Sequence, residues 1–362
     1  MTRRVYNFNP GPAALPLPVL ERAQAEFVSI QGFGMSVMEM SHRSAYVEEL
    51  NEETQRLLLE LLGITGGYRV LFMGGGASTQ FALLPLNFLP PDKTAHYVLS
   101  GSFSEKAYLE AKYIGHTRIA ASSKEQGWRR IPDMSGLQLD ADAAYLHVTT
   151  NNTIEGSRYN ALPDTGAVPL IADMTSDLLS RRMDMRKIAM AYAGAQKNLG
   201  PAGVTAVIVK EELLERASSH IPVILRYETF AKEKSLYNTP PVHAIYMMNL
   251  MLKWVAEQGG VKALESRNAE KASLLYDTID ASGGFYKGIV NEGDRSDMNI
   301  TWKMADEALE RRFIQTSAKY GFEGLSGHRS VGGLRASAYN GVPLEACQAL
   351  ADFMAEFQRT NG

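Results

Sequence analysis

Residues 167–203 read AVPLIADMTSDLLSRRMDMRKIAMAYAGAQKNLGPAG. Two apolar runs stand out. Val168 to Ala172 ends in Asp173, and Ile188 to Ala195 ends in Gln196, Lys197 and Asn198 before a Gly/Pro turn. Short unbroken apolar runs of this kind fill strands that are buried on both faces of a sheet. Open α/β sheets bind ligands outside the carboxyl ends of their strands. Here two such ends deliver a carboxylate and an amine, 24 positions apart.

A lysine held away from water loses part of its preference for the charged form, and its free amine can form a Schiff base with a carbonyl. A nearby carboxylate can keep a heteroaromatic nitrogen protonated. Pyridoxal phosphate uses both groups. A purely structural alternative makes Lys197 a surface lysine and Asp173 an N-cap ahead of Thr175-Ser176-Asp177, so the rest of the chain has to decide.

Outward from this stretch, strands alternate with helices. Arg69 to Met73, Ala95 to Ser100, Thr117 to Ala121, Ala144 to Thr149 and Val204 to Val209 have strand character; Leu17 to Ile30, Ala45 to Leu62 and 242–257 have helical period. That alternation predicts an α/β fold, a mainly parallel seven-stranded sheet flanked by helices. Gly74, Gly75 and Gly76 follow a strand and open a helix, so the first-turn amides of Ala77 and Ser78 face outward as an anion cradle. The pattern is neither G-x-G-x-x-G nor a Walker loop. Phe103, at another strand-to-helix junction, can stack on a planar ring. His42 and Arg43 lie in a loop before the helix at Ala45. Gly259-Gly260 marks the clearest boundary. The chain divides there into a large domain, 16–259, and a smaller α+β domain, 260–362, with an N-terminal arm, 1–15, packing near the latter. In the small domain GHRSVGGLRAS sets His328, Arg329 and Arg335 among glycines, and arginine's fork suits a carboxylate.

Composition narrows the class. A net charge of −3 gives no global basic field for nucleic acid or an anionic membrane. Nowhere do the roughly 18 consecutive apolar residues of a membrane helix occur, and the N-terminal stretch lacks the apolar core of a signal peptide. The lone cysteine, Cys347, suits a reducing cytoplasm. Metal-spaced Cys/His clusters are missing, so no metal is expected.

Taken together, FNPGPAALP, SHRS, GGGAST, NNTIEG, ADMTSDLLSR, YAGAQKNLGPAG, LYNTPP and GHRSVGGLRAS resemble the phosphoserine aminotransferase family, class V members of the fold-type I pyridoxal-phosphate enzymes, over nearly the whole chain. The resemblance implies that Lys197 is the Schiff-base lysine and Asp173 the partner of the pyridine nitrogen. It implies that Phe103 stacks on the ring, where relatives more often have tryptophan, and that Thr153 bonds the ring oxygen. Gly76, Ala77, Ser78 and Gln196 match the phosphate site, with Asn238 and Thr239 reaching it from the other subunit of a homodimer. His42, Arg43, His328, Arg329 and Arg335 match contacts to substrate anions. Some relatives carry an arginine in the glycine loop where this chain has Ala77-Ser78, which removes one positive charge. The implied reaction moves an amino group between L-glutamate and 3-phosphohydroxypyruvate in the cytoplasm; 4-phosphohydroxythreonine offers the same phosphate and amine. Two other readings stand beside it. A cysteine desulfurase would need its thiol on a mobile loop, whereas Cys347 falls on the packed face of a helix. A non-enzymatic binding module would have no use for the Lys197/Asp173 pair.

Overall fold

The computed structural model describes residues 4–362. Its strands are β1 (Tyr6–Asn7), β2 (Tyr68–Met73), β3 (Thr94–Leu99), β4 (His116–Ser122), β5 (Tyr145–Thr149), β6 (Leu170–Asp173), β7 (Met190–Gly194), β8 (Thr205–Lys210), β9 (Lys287–Gly288), β10 (Asn299–Lys303), β11 (Phe322–Glu323) and β12 (Leu334–Ser337). The helices are α1 (Leu17–Glu26), α2 (Ala45–Leu61), α3 (Gly76–Phe88), α4 (Ser102–Lys112), α5 (Glu211–Leu214), α6 (Tyr227–Lys232), α7 (Val242–Glu257), α8 (Gly260–Asp280), α9 (Glu307–Lys319) and α10 (Leu344–Asn361).

Seven strands form one sheet in the order β2-β8-β7-β6-β5-β3-β4. The run from β7 to β4 is parallel. β8 returns antiparallel to both β7 and β2, because the ten-residue connection after Gly194 is shorter than a parallel crossover needs, about a dozen residues. Period-two alternation sends Val70 and Phe72 to one face and Leu71 and Met73 to the other. Each face is covered: α7 packs Met248 and Leu252 against the first, and α3 packs Phe81 and Leu84 against the second. That double cover is why β5, β6 and β7 are buried along their whole length.

The chain runs from β3 outward to β4, then returns to β5 on the other side of β3. A reversal of this kind opens a crevice at the strand ends. The segments after β3 and β5, carrying Phe103 and Thr153, both leave from it.

A second core gathers Trp302, Phe313, Leu334, Leu350, Met354 and Phe357 around the small sheet β12-β10-β9. α8 serves both cores: Val261 and Leu264 join those of the large sheet and α7, Ala272, Leu275 and Ile279 the second. The N-terminal arm bridges them. β1 pairs with β11, Tyr339 Oη donates to the Pro10 carbonyl at 2.9 Å, and the Ala13 N–H donates to the Gln196 carbonyl at 2.8 Å. The first three residues of the arm lie outside the described residues.

One helix end differs clearly from the sequence expectation. α1 stops at Glu26 rather than continuing to Ile30, because Gln31 and Gly32 take positive φ and Ser29 Oγ accepts the Gly34 N–H at 2.9 Å, making a turn.

Candidate active site

Asp173 is the last residue of β6 and opposes Tyr192 of β7. Its Oδ1 accepts the Thr175 N–H at 3.0 Å, a local cap-type bond, but residues 175–180 form turns and no helix. Lys197 sits in the turn after β7. This turn is closed by the Gly200 N–H on the Ala195 carbonyl, 2.8 Å, and by the Ala195 N–H on the Val204 carbonyl, 2.9 Å. Both side chains line one cavity of about 320 Å³, within the range of small-molecule sites, roughly 300–1,000 Å³.

Around them the walls are polar and specific. Lys197 Nζ donates to Thr153 Oγ1 and lies 5.7 Å from the centroid of the Phe103 ring. Arg335, on β12, donates from Nη1 to the Thr153 carbonyl at 2.9 Å, and its Nε is buried without a partner. Thr149 Oγ1, opposite Asp173 across β5 and β6, is likewise buried and unpaired. Such groups are costly in a dry interior and fit a site awaiting a polar ligand. Gly75 holds φ +90 at the N-cap of α3, and Gly76, Ala77 and Ser78 of its first turn line the cavity; first-turn N–H groups have no helical acceptor.

Burial dominates the electrostatics. It pushes the Lys197 ammonium down to about 8, against the pull of Asp173. It pushes the Asp173 carboxyl up, against the Thr175 hydrogen bond and the Lys197 charge. For this pair the direction for lysine matters most: its amine is available nearer neutrality than that of an exposed lysine. Burial also lowers Arg335, with Tyr339 and Glu155 opposing, and lowers His328, helped by the Arg335 charge.

Of the residues singled out from sequence, Gly76, Ala77, Ser78, Phe103, Thr153, Asp173, Gln196, Lys197, His328 and Arg335 line this cavity. His42, Arg43, Arg329, Asn238 and Thr239 do not; Arg43 lines a separate charged cavity with Lys232 and Lys234, and Asn238 and Thr239 are exposed. Pro10 and Gly11 of the arm, Thr149, Asn151, Thr175 and Ser176 line it without having been assigned. The position of Thr149 at the end of an apolar strand was an available signal. Nothing local in the sequence places residue 10 beside residue 197. Cys347 is fully buried, with its thiol pushed up to about 11 by burial, the reverse of what a desulfurase nucleophile requires.

The aminotransferase class V family model matches residues 5–350. A phosphoserine aminotransferase of Niallia circulans is 57% identical over 362 residues, covering 100% of both chains. The solved phosphoserine aminotransferase from Bacillus circulans subsp. alkalophilus superposes with a TM-score of 0.98 at 57% identity, covering 99% of each chain. A pyridoxal-phosphate-bound phosphoserine aminotransferase from Trichomonas vaginalis gives 0.91 at 36% identity, over 97% of this chain and 100% of that one.

Proposed function

The chain belongs to the aminotransferase class V family, and from that premise we infer the reaction its cavity performs: reversible amino transfer between L-glutamate and 3-phosphohydroxypyruvate, giving O-phospho-L-serine and 2-oxoglutarate. One observation carries the reading. An amine with lowered proton affinity and a carboxylate converge on one cavity, beside a helix N-terminus suited to a phosphate.

The donor set fits pyridoxal 5′-phosphate. When bound, this cofactor supplies an electrophilic carbonyl carbon and a ring that accepts electrons from the substrate's α-carbon. Lys197 would hold the carbonyl carbon, and its amine, once released, would carry the proton from the substrate's Cα. Asp173 would hold a proton on the ring nitrogen. Phe103 would support one ring face, Thr153 would bond the ring hydroxyl, and Gly76, Ala77, Ser78 and Gln196 would hold the phosphate. Arg335 would take the α-carboxylate common to both substrates through two parallel hydrogen bonds. Its buried, unpaired Nε supports that role. Orientation by fixed groups can contribute about 7–11 kcal/mol in favourable intramolecular cases.

The unit that works would be a homodimer. Leu17, Phe27, Val28, Phe33, Met35 and Met38 are large apolar side chains left exposed along one part of the chain, and exposed apolar patches mark interaction surfaces. Asn238 and Thr239 would complete the partner's phosphate site, and His42, Arg43 and Arg329 would meet the substrate's phosphate or side-chain carboxylate with His328. The division into a large domain, 16–259, and a small one, 260–362, with an N-terminal arm is supported by the two apolar cores. A cytoplasmic location suits the free Cys347 thiol. Among the described residues no helix is long and apolar enough to cross a membrane.

The deciding experiment supplies glutamate and then 3-phosphohydroxypyruvate to the cofactor-loaded protein and measures O-phosphoserine. Lys197→Ala should form none. Failure of the unaltered protein to make phosphoserine would overturn the reading.

A further inference from the structure

Asn198 follows Lys197, is buried, and has no part in the chemistry above. Its Oδ1 accepts the backbone N–H of Asn340 at 3.0 Å, and its Nδ2 faces Met298 Sδ at 3.8 Å. Asn340 lies three residues beyond β12, the strand that carries Arg335. Its own side chain is fixed at both ends: Nδ2 donates to the Leu179 carbonyl at 3.0 Å, and Oδ1 accepts from Asn268 Nδ2 at 2.8 Å. Lys271 Nζ donates to the carbonyls of Ala338, Tyr339 and Val342 at 2.9, 2.8 and 3.1 Å. The segment after β12 is therefore rigid, and the Asn198 amide is the bond by which it meets the lysine turn.

Across the cavity a second link joins the same two groups. Lys197 Nζ donates to the Thr153 hydroxyl, and Arg335 Nη1 donates to the Thr153 carbonyl at 2.9 Å. The contacts close a circuit running Lys197, Thr153, Arg335, Asn340, Asn198 and back to Lys197. A ligand that engages the amine displaces the Thr153 link at the hydroxyl. Asn198 lies outside the cavity lining, so its link persists.

We propose that Asn198 is a positioning residue for amino-acid recognition: it fixes the separation between the Lys197 amine and the Arg335 guanidinium. That separation favours ligands whose nitrogen or carbonyl carbon bears a carboxylate, namely 2-amino and 2-oxo acids. The inference rests on the roles given above to Lys197 and Arg335.

The test uses cofactor-loaded Asn198→Ala, with Asn249→Ala as control, since Asn249 is a buried amide bonded to Glu53 and Thr54, outside the circuit. Single-turnover rates are followed by cofactor absorbance with glutamate and with propylamine, which offers an amine without a carboxylate. Cofactor affinity is titrated separately on the cofactor-free proteins. Asn198→Ala should slow the glutamate reaction about a hundredfold, the scale of a small misplacement of reacting groups, and leave the propylamine rate and the cofactor affinity largely unchanged. Asn249→Ala should keep the wild-type ratio of the two rates. Equal losses with both amines, an unchanged ratio, a matched loss of cofactor affinity, or the same ratio change in Asn249→Ala would each overturn the proposal. If Asn198→Ala does not fold, Asn198→Ser, whose hydroxyl is too short to reach the Asn340 N–H, is read the same way. A wild-type protein inert toward glutamate would overturn the reading of the site instead.

Discussion

Lys197 and Arg335 show how far single residues can be argued. With its proton affinity lowered from 10.5 to about 8, Lys197 in the cofactor-free protein binds fewer protons between those values than the unfolded chain does. Stability contributed by this residue is therefore present above pH 10.5, rises with pH through the window, and is lost below pH 8, where the buried charge costs about 3 kcal/mol. Lys271, also lowered to about 8 by burial, adds a second rise in the same window. Urea midpoints of the cofactor-free protein should climb from pH 8 to 9, above which ionisation of the Cys347 thiol and the buried tyrosines in the unfolded chain opposes the rise, and Lys197→Met should flatten that climb relative to wild type. Arg335→Lys keeps the charge but loses the parallel pair of hydrogen bonds; KM for both substrates should rise about tenfold to a hundredfold, with kcat changed less. An unchanged KM for either substrate would remove Arg335 from the carboxylate site. Both residues were legible in the sequence because each is a charge set against apolar or glycine-rich surroundings. Asn198 was not, because a neutral amide in a turn has no pattern of its own; only its meeting with Asn340 gives it meaning.

At the scale of elements, the turn before α3 is the most sensitive. Gly75 has φ +90, and a β-carbon there would lie 1.9 Å from Thr79 Oγ1. Gly75→Ala therefore combines backbone strain with a clash. It should lower stability by about 1–3 kcal/mol in thermal unfolding and weaken cofactor retention, since the amides of α3 would shift. A fully retained cofactor would mean those amides do not hold its phosphate. Strand identity was readable because β6 and β7 come from unbroken apolar runs and β5 is interrupted only by His147 before it ends in Thr149. The direction of β8 was not read from the sequence: it depends on the length of the connection after Gly194, not on residue type. The end of α1 was misjudged because Val28 and Ile30 continue the helical period, while Gln31, Gly32 and the Ser29 side chain favour a turn.

For the whole molecule, the proposed reach of Asn238 and Thr239 into a neighbour's cavity makes a direct prediction. If each protomer completes the other's site, mixing Lys197→Ala with a doubly substituted Asn238→Ala/Thr239→Ala protein, after subunit exchange, should restore turnover that neither shows alone. A self-contained site would give no restoration. Sequence alone could not place these residues, since an exposed pair ahead of two prolines is the same text whether it faces solvent or a second copy. The arm carries a different consequence. Tyr6 pairs with Phe322, and the Phe8 carbonyl accepts the Ser337 N–H at 3.2 Å. During synthesis, residues 6–8 leave the ribosome long before their partners exist, and such distant pairings form late. The large sheet can assemble first, but the wall that Pro10 and Gly11 give the cavity waits for the far end of the chain, so a nascent protein acquires its reaction chamber only as translation closes.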